Sequence, residues 1–145
     1  GTSNLYFENG NINFKDLLNS SPKSLYITET IGHGSNIVTG DYSVGATGFL
    51  IENGEFKYPI NEITIAGNFK DMFQNIYLAN DLEFKYSTNS PTMMIEGMVV
   101  AGKWVNLIKI FKTIFPITHS RIGHSDNHWA FFVKPNIKVK TFIIW

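Results

Sequence analysis

The chain has 145 residues, as many basic as acidic side chains, 43% hydrophobic residues and no cysteine. That length makes one domain, or one domain with an appendage, and it supports a core. The missing cysteines exclude a disulfide framework and a thiolate metal site, and the sequence contains neither a signal peptide nor an apolar run of the roughly 20 residues that a membrane helix needs.

The formal neutrality hides an asymmetry. Residues 1–102 carry a net charge of −6 and residues 103–145 one of +6, and Trp104, Trp129 and Trp145 all fall in the second part. A break of this size marks a boundary near Gly102. It divides the chain into an acidic domain, 1–102, and a basic aromatic tail, 103–145. The initial glycine reads as the start of a piece of something longer, or as the trace of an added tag.

In chain order, "NLYFENG" predicts a strand running into an Asn-Gly turn. "NFKDLLNSSP" predicts a short helix, capped by the Asn13 side chain and stopped by Ser20-Ser21-Pro22. "SLYITET", Ser24 to Thr30, alternates in the manner of a strand. In "GFLIENGEFKYP", Asn53-Gly54 predicts a two-residue hairpin turn, because both residues tolerate positive φ. That register sets Glu52 against Glu55, Ile51 against Phe56, Leu50 against Lys57 and Phe49 against Tyr58.

"NEITIAG" extends as a strand with Ile63 and Ile65 on one face. "GNFKDMFQNI" predicts a helix capped by Asn68, with Phe69, Met72, Phe73 and Ile76 forming its buried stripe. "DLEFKYS" and "PTMMIEGMVV" predict two closing strands. The fold class expected is α+β, mostly β, with short antiparallel strands and hairpins, two short helices and a loosely packed C-terminal tail.

The glycine-rich stretch His33–Pro59 contains Gly40, Gly45, Gly48 and Gly54. These glycines suit tight turns and close backbone approach. One reading is plain turn chemistry. The other is a peptide-contacting loop made of His33, Gly40, Asp41, Tyr42, Gly45 and Gly48, whose backbone pairs with an extended peptide by strand addition. A single imidazole does not make a zinc site, so His33 is read as structural or hydrogen-bonding. Asp41 is read as a turn residue and not as a catalytic acid. No catalytic residue and no metal ligand is assigned.

In the tail, "GKWVNLIKIFKTIFP" places Trp104, Leu107, Ile108, Phe111, Ile114 and Phe115 on one face of a helix that ends before Pro116. It suits docking to a protein or weak contact with a membrane surface, not a span. His119, His124 and His128 lie five and four residues apart, but no glutamate follows them as a metalloprotease helix requires, so they are not assigned as a zinc site. The acidic first part argues against binding nucleic acid.

The segment "HGSNIVTGDYSVGATGFLIENGEFKYPINEITIAGNFKDMF", with "NDLEF" and "PTMMIEGMVVAG" after it, resembles the C-terminal end of the PmbA/TldD family, also called modulators of DNA gyrase. The likeness runs from about Gly1 to Gly102. What it implies is a place in a bacterial, cytoplasmic metalloprotease. Catalytic members hold zinc with a His-Glu-x-x-x-His helix and a later cysteine. This chain has neither, and it reads "TGDYSVGATG" where the catalytic branch carries its cysteine.

The resemblance thus implies a C-terminal fragment of the PmbA-type, non-catalytic subunit, with a structural and peptide-contacting role in proteolysis of small proteins or peptides. It implies no cofactor in this chain, zinc on a TldD-like catalytic partner, and no intrinsic peptidase activity. The alternative is a gene remnant, its tail an extension past the family's usual end, or an interaction module whose basic tail binds a membrane or a protein.

Overall fold

The computed structural model describes residues 4–102 and 128–134. Ten elements succeed one another: β1 (Leu5–Tyr6), α1 (Phe14–Asn19), β2 (Lys23–Ile31), β3 (Asp41–Glu52), β4 (Glu55–Asn68), α2 (Phe69–Gln74), β5 (Ile76–Leu78), β6 (Thr88–Asn89), β7 (Met93–Ala101) and β8 (His128–Val133). The domain is mostly β, as its sequence predicts.

The main sheet runs β4-β3-β2-β8-β7-β5, and β4 also pairs with β7. That extra pairing closes five of the strands into a small barrel, which removes most of the open edge such a sheet would otherwise present. Leu25, Ile27, Val44, Leu50, Ile63, Ile65, Ile95, Met98 and Phe131 belong to its core, with Phe69 and Met72 of α2 packed among them. A second cluster joins Leu17 and Leu18 of α1 to Ile51, Ala79, Met94 and Phe132. Alternation accounts for the split: Phe131 and Val133 lie in the first cluster and Phe132 in the second.

Both helix starts form as the sequence predicts. The Asn13 side chain accepts a hydrogen bond from the Asp16 N–H at 2.8 Å, and the Asn68 side chain accepts one from the Lys70 N–H at 3.0 Å. Asn53 and Gly54 have φ of 51° and 78° and close the β3–β4 hairpin.

Several expectations need correction. Glu52 does face Glu55 and Ile51 does face Phe56, but a bulge comes next, and Phe49 then faces Pro59 instead of Tyr58. Lys57 and Tyr58 together span the place opposite Leu50, where a single partner was expected. "DLEFKYS" forms no strand: residues 81–85 are irregular, and pairing resumes at β6, which lies parallel to β1. No turn forms at Asn9-Gly10; the Gly10 N–H donates to the Ala79 carbonyl instead.

Phe73 is 52% exposed, because α2 ends at Gln74, and the ring stacks on Phe69 at the surface. Ile76 belongs to β5, not to the helix.

The tail also needs correction. His128–Val133 is not loosely attached. It lies between β2 and β7, parallel to the first and antiparallel to the second, and Phe131 and Phe132 are fully buried. The expected helix from Trp104 to Phe115, with His119 and His124, lies outside the described residues.

Candidate functional site

The connection between β2 and β3, residues 32–40, contains the residue types that suggested a peptide-contacting loop. Its shape comes from short polar side chains. The Asn36 carbonyl oxygen of the side chain accepts from the N–H groups of Val38 at 3.0 Å and Thr39 at 3.2 Å, an Asx turn. The Gly40 N–H donates to the Asn36 backbone carbonyl at 2.8 Å. Gly40 has φ of 80°, where a side chain would be strained.

The loop is tied to α2. The Phe69 N–H donates to the Gly40 carbonyl at 2.8 Å, and the Asn68 side-chain amide donates to the Thr39 carbonyl at 3.1 Å and to the Asp41 carboxylate at 3.3 Å. Asn68 therefore caps α2 with its oxygen and holds the loop with its nitrogen. At the tip, Ile37 is 65% and Val38 94% exposed. Apolar side chains displayed on a braced loop suit contact with another polypeptide more than chemistry.

The six sequence-nominated residues do not form one surface. His33 and Asp41 are exposed, and Gly40 sits in the turn. Tyr42 is 1% exposed and packs against Phe69 at 5.4 Å between ring centroids. Burial pushes its hydroxyl pKa well above the usual tyrosine range. Tyr42 is thus a core residue and not a loop contact, because its position on β3 points into the barrel.

Gly45 and Gly48 lie inside β3, not in turns. Gly48 marks a close approach: a β-carbon there would overlap the Tyr26 carbonyl oxygen. Gly45 has no such constraint, its nearest neighbour being Ile31 at 3.6 Å.

Among the described residues no three histidine, cysteine, aspartate or glutamate side chains gather as a metal cluster, and no helix is long and apolar enough to cross a membrane. One functional-looking carboxylate is structural: Asp81 accepts from the Thr92 N–H at 2.7 Å and from its hydroxyl at 2.6 Å, fixing the entry to β7. Sequence reasoning missed the apolar tip, although Ile37-Val38 between Asn36 and Thr39 in a polar loop was the available signal.

The described residues thus form a closed, mostly β domain with a braced β2–β3 loop. The sequence profile of the PmbA/TldA metallopeptidase C-terminal domain matches residues 1–102, and the chain belongs to that family. Metalloprotease PmbA of Escherichia coli O157:H7 is 43% identical over 93 residues, which is 63% of this chain and 21% of the relative. The PmbA homolog of Haemophilus influenzae is 44% identical over 87 residues, 59% of this chain and 19% of the relative. A crystal structure from Thermotoga maritima, of a protein named for modulating DNA gyrase, superposes with a TM-score of 0.62 at 36% identity, covering 68% of this chain and 24% of that one. The chain thus spans about a fifth of the length of the curated relatives it matches.

Proposed function

We propose that this chain is the C-terminal, structural and peptide-contacting domain of a PmbA-type non-catalytic subunit. It acts with a TldD-like subunit that holds zinc and cuts small proteins or peptides in the bacterial cytoplasm. The observation that carries the reading is the match of residues 1–102 to the metallopeptidase family. It is supported by a sequence with no cysteine to complete the zinc set that the family resemblance implies.

The apolar tip Ile37–Val38 supplies the contact surface. Its bracing by Asn36 and Asn68 lowers the ordering cost of binding. The test is sedimentation of the full chain with a purified TldD-like subunit, then zinc analysis and a peptide-cleavage assay of each protein alone and of the mixture. The expected result is a complex that cleaves, with zinc on the TldD-like subunit and no cleavage by the chain alone. Chelator-sensitive zinc with cleavage by the isolated chain would overturn the non-catalytic assignment, and failure to associate would overturn the partnership.

A further inference from the structure

The barrel is completed by a strand that lies outside the family domain. β2 and β7 do not pair with each other, and β8 bridges them. Ser24, Leu25, Tyr26 and Ile27 of β2 align with Ala130, Phe131, Phe132 and Val133. On the other side Met93, Met94 and Ile95 of β7 align with Val133, Phe132 and Phe131. Without an occupant, both flanking strands would carry unpaired backbone N–H and C=O groups. The first apolar cluster would also lose two members, Phe131 and Val133, and the second would lose Phe132. An empty gap would leave two open strand edges beside exposed apolar surface, an arrangement that natural sheets avoid.

The family match ends at Gly102, yet both walls of the gap, β2 and β7, lie within it. The superposed Thermotoga structure covers 68% of this chain, and the matched relatives have about four fifths of their length elsewhere. The walls belong to the matched residues, and the filling strand comes from a part of this chain beyond the match.

We propose that the gap between β2 and β7 is a strand-acceptor site. His128–Val133 fills it here from within the chain. In a longer PmbA-like polypeptide it takes an extended segment from the remainder of that polypeptide. The occupant's chemistry is set by the seat. It forms a ladder on both sides, so it contains no proline in its centre. It carries bulky apolar side chains on both faces, one set for the barrel interior and one for the surface covered by α1. Recognition is by β-augmentation, with backbone hydrogen bonds giving affinity and alternate side chains giving register. This deepens the reading as a family C-terminal domain and rests on the family match, not on the role beside a catalytic subunit.

The absence of native cysteine makes a direct test possible. Val99 stands opposite His128 in the β7–β8 register, so the full chain carrying Val99→Cys and His128→Cys should close an intramolecular disulfide on mild oxidation, read as loss of both free thiols. Thiols that stay as free as those of the single variants would overturn the seating.

The second arm uses the full chain with Phe131→Asp, which places a charge in the filled seat. Overlapping peptides cover the part of the Escherichia coli relative outside the matched region, and a peptide of residues 126–136 serves as reference. The expected result is loss of the cooperative melt, restored by the reference peptide and by one peptide of the relative, each binding about tenfold tighter than its scrambled form. A variant that melts like the parent overturns the proposal. So does rescue by the reference peptide with none from the relative, because the gap then belongs to this chain's own tail alone. Neither arm contains a catalytic subunit, so failure here leaves the peptidase-partner reading to its own experiment.

Discussion

Two glycines three residues apart on β3, Gly45 and Gly48, should respond in opposite directions to the same added methyl. At Gly48 a β-carbon would overlap the Tyr26 carbonyl oxygen and stand 2.9 Å from the Tyr26 carbonyl carbon and 3.0 Å from the Ile27 Cα. Carbon–carbon contacts are comfortable at about 3.5–4.0 Å, so the backbones of β2 and β3 must separate. They have little room to do so. Gly48 lies where the β2–β3 register shifts after Ile27 and where the β3–β4 register shifts between Ala46 and Gly48, and Ile27 is fully buried. Gly48→Ala should therefore cost about 3 kcal/mol, the upper end of ordinary overpacking, or roughly 10 °C in Tm for a chain of this size. At Gly45 the nearest atoms lie at ordinary contact distance, 3.6 Å. Gly45→Ala should gain about 0.5–1 kcal/mol, because glycine in a strand is entropically unfavourable. Thermal melting by circular dichroism of both variants beside the parent measures the difference. If Gly48→Ala melts at or above Gly45→Ala, the close β2–β3 approach is not a feature of the folded protein.

Gly54→Val should destabilise the hairpin by about 1–2 kcal/mol, since a β-branched residue is strained at its φ of 78°; an unchanged urea midpoint would refute the turn. Phe73→Ala should change stability by less than about 1 kcal/mol, as an exposed site does, whereas Met72→Ala, 4% exposed, should cost about 2–5 kcal/mol; chemical denaturation of the pair decides which face of α2 is buried. Asn68→Ala removes the α2 cap and the tether to Thr39 and Asp41 together, so it should cost at least about 1 kcal/mol and quicken proteolysis within residues 36–40. Cleavage there at the parent rate would show that the loop holds its shape without Asn68.

The two short helices and the β3–β4 hairpin were legible because each rests on local chemistry: Asn13, Asn68 and Asn53-Gly54 satisfy backbone groups or supply positive φ within a few residues. What was not legible depends on partners far along the chain. Phe73 falls on the periodic stripe of α2, but periodicity does not report where a helix stops, and α2 stops one residue later at Gln74. "DLEFKYS" alternates like a strand, yet Asp81 is engaged with Thr92 and the Asn89 side chain accepts from the Lys85 and Tyr86 N–H groups. Those bonds hold the segment as a side-chain-stapled loop. Tyr42 sits in a glycine-rich stretch that reads as a loop, but the bulges of β2 and β4 let that stretch run as one bent strand whose alternation carries Tyr42 inside.

The tail shows why composition is a poor guide to where a domain ends. Charge and tryptophan content change near Gly102, and so does family likeness, and all three observations point to a boundary. None of them measures whether β2 and β7 can be satisfied by residues 1–102 alone. The deciding quantity is the pairing demand of two strands already inside the boundary. β2 meets β3 on one side, while β7 meets β5 and β4 on one side; each then needs a neighbour on the other, and the two do not meet. A six-residue segment with three consecutive buried apolar side chains at its end meets that demand whatever the charge of the sequence around it. The boundary read from composition is where the family's likeness stops, and the barrel extends across it by one strand.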